Sequence, residues 1–139
     1  MKPCKGEFHV DIFKGGRRVD SFGDHNLVVE SGRVRLAELA AGKSSAYITQ
    51  IGIGEGSTTE KDTDTALENQ MLFPLNDASV TDRDARFDFS IDNTQGNGLK
   101  IHEFGLFCAD GTMFSHRVRK GVIEKENDIT IKGYWILHF

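Results

Sequence analysis

The stretch IHEFGLFCADGTMFSHRVR, residues 101–119, decides how the chain is read. It crowds His102, Glu103, Cys108, Asp110 and His116 together, all side chains able to bind metals or move protons. It also places Asp110-Gly111 between two apolar runs. That pair suits a two-residue hairpin turn, whose central residues both need positive φ. The hairpin reading predicts strands over 99–109 and 112–119, with Gly105 opposite His116 and Phe104 opposite Arg117.

Strand alternation then separates the reactive side chains. Phe104, Leu106 and Cys108 share one face with Met113, Ser115 and Arg117. Glu103, Phe107 and Ala109 share the other with Thr112, Phe114, His116 and Val118. Cys108 becomes a buried apolar thiol, the turn uses Asp110, and His102 points away from Glu103. Only Glu103 and His116 stay together, as a cross-strand diagonal of about 7–8 Å between α-carbons. A hydrogen bond between them is allowed but not forced. No nucleophile or ligand set accompanies them, so no catalytic, metal-binding or cofactor-binding residue is assigned. Arg117 and Arg119 share a face and are the candidates for meeting an acidic partner.

The same reasoning runs outward along the chain. EFHVDIF (7–13) alternates with Phe8, Val10 and Ile12 on one side, and Gly15-Gly16 turns it into a second strand ending near Phe22. This is an N-terminal hairpin over 7–22. Leu36, Leu39 and Ala40, widened by Val34, Ala37 and Ala41, recur at helical spacing. They predict one helix over about 31–41, with Ser31 as N-cap and Gly42 just past the end. YITQIGIG (47–54) reads as a central strand, and EGSTTEKDTDT (55–65) as a solvent-facing loop. ALENQMLFPL (66–75) reads as a helical turn or irregular crossover. ARFDFSID (85–92) and DITIKGYWILHF (128–139) are strands, with Gly133 marking a bulge or a close contact. About seven strands at hairpin spacing give a mainly β fold, α+β by content: an antiparallel, sandwich-like sheet with one covering helix, in a single domain over 1–139.

Composition closes several doors. The net charge is −4, with 17 basic against 21 acidic residues, which gives no field for nucleic acid. The clusters Lys14/Arg17/Arg18 and Arg117/Arg119/Lys120 read as hairpin ends rather than phosphate sites. GIGEGS (52–57) lacks the lysine and following helix of a phosphate loop, and Asp62 and Asp64 lack the order of a calcium loop. No apolar run reaches the roughly 18 residues of a membrane span, and no secretory leader is read. Cys4 and Cys108 form no ligand pair. Reduced thiols are expected in a cytosolic setting, with a Cys4–Cys108 disulfide as the alternative.

Taken in order, NLVVESGRVRLAELAAG (26–42), ITQIGIGEGSTTEKDTDTAL (48–67) and IHEFGLFCADGTMFSHRVR with the C-terminal strand resemble small tail proteins of tailed bacteriophages and prophages. They are also distantly similar to the N-terminal, baseplate-attaching domain of phage tail-collar and tail-fibre proteins. The shared elements are a Leu/Ala-rich helix, a strand ending Gly-x-Gly, a Thr/Asp-rich loop ending in a TAL-like triplet, and a Glu-Phe-Gly-Leu strand ending Ala-Asp-Gly. They span roughly residues 26–139, leaving the hairpin 7–22 outside. The resemblance implies a structural component of a tail tip or baseplate, assembled in the bacterial cytoplasm and carried in the virion. Its partners would be other tail, baseplate or fibre proteins and copies of itself, and it would have no reaction of its own. A host-carbohydrate-binding module is the alternative. Ten Phe against one Trp and two Tyr support that poorly, because sugar sites favour aromatics with polar tips. A small hydrolase using Glu103 and His116 is the third reading.

Overall fold

The computed structural model describes residues 5–139 and, among them, nine strands and one helix. They are β1 (Lys5–Lys14), β2 (Arg17–Val28), α1 (Glu30–Ala40), β3 (Ile48–Gly54), β4 (Met71–Pro74), β5 (Asp77–Thr81), β6 (Asp84–Ile91), β7 (Lys100–Cys108), β8 (Met113–Glu124) and β9 (Ile129–His138). All strand pairs are antiparallel, in the order β4-β3-β7-β8-β2-β1-β9-β6-β5. The chain is thus mainly β with one helix. Where the sequence led to a sandwich-like sheet, the strands form one antiparallel hydrogen-bonded order curled as a half-barrel.

Two corners produce the curl, each made by chain that passes from one half of the sheet to the other. At the first, β2 pairs with β1 from Gly6–Asn26 to Lys14–Arg17, but with β8 only through Leu27–His116 and Val28–Ser115. At the second, β4 and β5, the two ends of the strand order, are separated only by Leu75 and Asn76. Leu75 N–H donates to the Thr49 carbonyl of β3 at 3.0 Å, and Asn76 N–H to the Asp88 carbonyl of β6 at 2.8 Å.

The concave side holds the core. Phe8 stacks on Trp135 at 5.1 Å between ring centres and meets Phe104 of the opposite half at 5.8 Å. Val10, Phe89, Ile91, Ile131 and Leu137 fill the space around these rings. These are the rows that alternation assigned to one face. Gly133 sits in unbroken register between Val10 and Phe89, so it marks a close contact and not a bulge.

The helix packs differently from its apolar pattern. Its buried residues are Gly32 and Arg35, while Val34 is exposed. A methyl group at Gly32 would lie 2.2 Å from the Phe114 carbonyl oxygen, so the missing side chain is what lets α1 rest on β8. Ser31 is not the N-cap. Val29 is, and the Ser31 hydroxyl donates to the Met113 carbonyl at 2.6 Å, tacking the helix to the same strand. Gly42 does end the helix, at φ 70°. Lys43 N–H bonds Glu38 O and Gly42 N–H bonds Leu39 O, the two bonds of a Schellman motif.

Two strands have no counterpart in the sequence reading. β4 occupies the tail of the segment read as a crossover, and β5 (DASVT) is exposed along its whole length. β4 is too short to show an alternating apolar row, and in β5 the row is only Ala78 and Val80.

Candidate functional site

The β7–β8 hairpin forms as predicted, with Gly105 opposite His116 and Phe104 opposite Arg117. Its turn is one residue longer than expected. Cys108 N–H donates to Thr112 O at 2.8 Å and Gly111 N–H to Cys108 O at 2.9 Å, so Ala109, Asp110 and Gly111 form the loop. Gly111 alone takes a positive φ, 87°, the αL position of a three-residue hairpin loop. The register also slips between Leu106 and Phe107. A slip of one residue exchanges faces. Phe114 therefore joins the main core beside Leu106 and Cys108, while Met113 joins Phe107, Val29 and Leu67 in a second cluster on the outer side.

Asp110 is held by more than the turn. Arg35 of α1 grips it bidentately, at 3.0 Å and 2.7 Å, and also donates to Ala46 O at 2.9 Å and Thr112 Oγ1 at 3.2 Å. The guanidinium, with help from Thr112, holds the Asp110 carboxyl well below the usual carboxylate range. Cys108 lies in the core, where burial pushes its thiol up to about 11. Cys4 lies outside the described residues.

Glu103 and His116 meet, with Nε2 to Oε1 at 2.7 Å and both side chains 4% exposed. A third group, Asp64, reaches His116 Nδ1 at 2.8 Å. Burial alone pushes the imidazolium down, but the hydrogen bonds to Glu103 and then Asp64 outweigh it and raise the pKa above 6.5. The other Glu103 oxygen accepts Gly56 N–H at 2.6 Å and Glu68 N–H at 2.9 Å. Both ring nitrogens of His116 are thus occupied by carboxylates, and no lone pair remains to take a proton from a substrate. Ser115, the adjacent hydroxyl, is bound to Asn26 Oδ1 at 2.5 Å and Leu27 O at 3.0 Å. The cluster is chemically a clamp.

What it clamps is the loop after β3. Glu60, Asp62 and Asp64, spaced by two, are each caught by a different cation. Glu60 accepts from Arg117 at 2.9 Å and from Val118 N–H at 3.0 Å. Asp62 pairs bidentately with Arg33 of α1 at 2.7 Å and 2.8 Å, and Asp64 binds His116. Leu67 then closes over Phe107 and Met113. The segment read as a free solvent-facing loop is exposed along much of its length, yet it is fastened to the helix and the hairpin.

Arg117 and Arg119 occupy the corner where β2 leaves β8. Beyond Val28–Ser115 and Leu27–His116 the backbones splay, and side chains at alternate positions bridge the gap. Asn26 meets Ser115, Asp24 pairs with Arg117, and Arg119 lies 4.0 Å above the Phe22 ring with Asp20 at 3.8 Å. The Arg119 side chain is 16% exposed, and burial lowers its pKa against the opposing pull of Asp20. Both arginines already face carboxylates of their own chain. With Ser57, Thr59, Glu60, His102 and Lys120 they also line a cleft of about 350 Å³.

The long-range partners Asp20, Asp24, Glu60 and Asp64 escaped the sequence reading, because opposite charges far apart in sequence carry no local period. Among the described residues, no group of three or more His, Cys, Asp and Glu is placed to hold a metal ion, and no helix is long and apolar enough to cross a membrane. No family model matches the chain, and neither a curated protein nor a solved structure was found to match it.

Proposed function

We propose that the chain is a structural module of a phage tail tip or baseplate, acting through contacts with tail, baseplate or fibre proteins and with copies of itself, and catalysing no reaction. The observation that carries this reading is the use of the hairpin's reactive groups. His116, Glu103, Asp110, Ser115 and Arg117 are each bound to another part of the same chain, fixing loop, helix and sheet corner into one body. The Thr/Asp-rich loop and the Glu-Phe-Gly-Leu strand that carry the family resemblance are two of the parts so joined. A rigid body with exposed strand edges suits assembly within a virion.

The carbohydrate-binding alternative needs an open aromatic face. Tyr134, beside an outer-face hollow of about 400 Å³, has the Arg86 guanidinium 4.1 Å from its centroid and the His9 ring 5.4 Å away. Both groups compete with a sugar for the ring.

The test is co-expression with the genes that flank this one, followed by affinity capture and cross-linking. Stoichiometric capture of a baseplate or fibre product is the expected result. No capture, together with binding to a glycan array or to whole cells, would replace this reading with the receptor-binding one.

A further inference from the structure

The two ends of the strand order are not alike. β4 has four residues and ends in Pro74, which cannot donate to a further strand. β5 pairs with β6 on one side, in unbroken register from Asp77–Asp88 to Thr81–Asp84, and among the described residues with nothing on the other. All five of its residues are exposed, and it carries no lysine, proline or bulge, the usual devices that keep an edge single.

Its side chains make the edge more than a row of free backbone groups. Val80 lies opposite Ala85, and Ala85 opposite Leu137, so Val80 belongs to the core-facing row. Leu137 is fully buried, yet Val80 is 76% exposed. The apolar row that fills the half-barrel therefore runs out into solvent at β5. Phe139, 49% exposed, lies at the same end, its N–H bonded to Arg83 O at 2.9 Å.

We propose that β5 is the docking edge for the β5 of a second copy of this chain, the two pairing antiparallel about a two-fold axis. Charge selects this occupant. Asp77 at one end of the strand and Arg83 just past the other are exposed, and neither has an ion-pair partner among the described residues. In an antiparallel self-pair the end bearing Asp77 meets the end bearing Arg83, and symmetry makes that encounter twice. Ala78, Ser79, Val80 and Thr81 hold no charge to desolvate, and the one charge between Asp77 and Arg83 is Asp82, which sits in the turn at φ 54° beyond the strand, so backbone bonds along β5 form at little cost. Pairing also brings the two Val80 side chains toward each other and out of water.

This inference deepens the assembly reading by naming a partner and a surface. Sedimentation equilibrium of the full chain, from micromolar to hundred-micromolar concentration, tests it. The expected species is a dimer of the 15.5 kDa chain. Val80→Lys should weaken dimerisation by about tenfold or more, since it puts two like charges face to face. Asp77→Arg and Arg83→Asp should each weaken it, and the double variant should restore it. These positions are exposed, so the variants should fold, which circular dichroism checks. A monomeric wild type, or a dimer indifferent to Val80→Lys and to both charge reversals, overturns the proposal. A monomer that still captures tail products would leave the assembly reading standing and remove this edge. A dimer that captures none would do the reverse.

Discussion

Replacing Glu103 by alanine tests the clamp most directly. The carboxylate satisfies three donors at once: His116 Nε2, Gly56 N–H and Glu68 N–H, at 2.7, 2.6 and 2.9 Å. With the side chain gone, two backbone amides and an imidazolium lose their acceptor in a site where the side chains are 4% exposed. Each orphaned donor costs about 1–3 kcal/mol, which sets an upper range of roughly 3–9 kcal/mol. The adjoining cleft of about 180 Å³, lined by Gly56, Lys61, Asp64 and Glu68, lets water reach part of the site. The low end of the range therefore applies, about 3–5 kcal/mol, as for breaking other buried ion pairs. At a urea slope of about 2 kcal/mol/M, the midpoint should fall by roughly 2 M. Glu103→Gln should cost much less, about 1–2 kcal/mol. Its oxygen keeps both amides, and its NH₂ group can donate to a neutral His116. Urea denaturation followed by tryptophan fluorescence reads all of this, with Trp135 in the core as the reporter. An alanine variant within about 1 kcal/mol of wild type, or one no worse than the glutamine variant, would refute the idea that the carboxylate anchors the loop.

Three further outcomes follow from the same geometry. The folded-state pKa of His116 lies above 6.5, so its stabilisation is complete below about pH 6.5 and lost as pH rises through the raised value; the stability gap between wild type and His116→Gln should shrink as pH rises above about 6.5, and a gap that stays constant would refute the charged clamp. His138 is also raised, chiefly by Asp84, and both proteins carry it, so the difference isolates His116. Gly32→Ala should destabilise by about 1–3 kcal/mol despite alanine's better helix propensity, because the new methyl meets the Phe114 backbone; a stabilised variant in thermal melts would show that the helix can shift off β8. Cys108, with its thiol pushed up to about 11, should take no iodoacetamide in the native state and react fully after denaturation; peptide mass spectrometry locates the adduct, and native labelling of Cys108 would contradict its burial.

The elements that were legible in sequence are those with a local period. β1, β6 and β9 alternate, and their apolar rows are the core. The hairpin partners Gly105–His116 and Phe104–Arg117 followed from counting back from Asp110-Gly111. That count survived two errors that cancel: the loop has one more residue than expected, and the bulge at Phe114 absorbs the difference. Only Met113 and Phe114, lying between the two, changed faces. β5 was invisible because an exposed edge strand needs little apolar surface, and in DASVT the row is only Ala78 and Val80, too short to read as a period. The helix was found by its leucines but seated by Gly32 and Arg35, since contact with β8 demanded a missing side chain and a partner for Asp110 rather than an apolar stripe.

The candidate site fared differently, for a physical reason. Glu103 and His116 were legible as neighbours, but whether such a pair acts or merely holds depends on the third group. Asp64 is 52 residues from His116 in sequence. Side chains at alternate positions, such as Glu60, Asp62 and Asp64, or Ser115, Arg117 and Arg119, each look like a solvated face when read alone. Where two strands splay, or a loop crosses a sheet, no backbone ladder joins the parts. Buried donors and acceptors must still be matched, and side chains at spacing two are the ones that can reach across. Arg117 shows the consequence. Read as a basic group at an exposed hairpin end, it instead stands half-buried inside β8, and the acids it meets are Asp24 on β2 and Glu60 on the loop. An external acidic partner would have to displace both, at the corner on which the curl of the sheet depends.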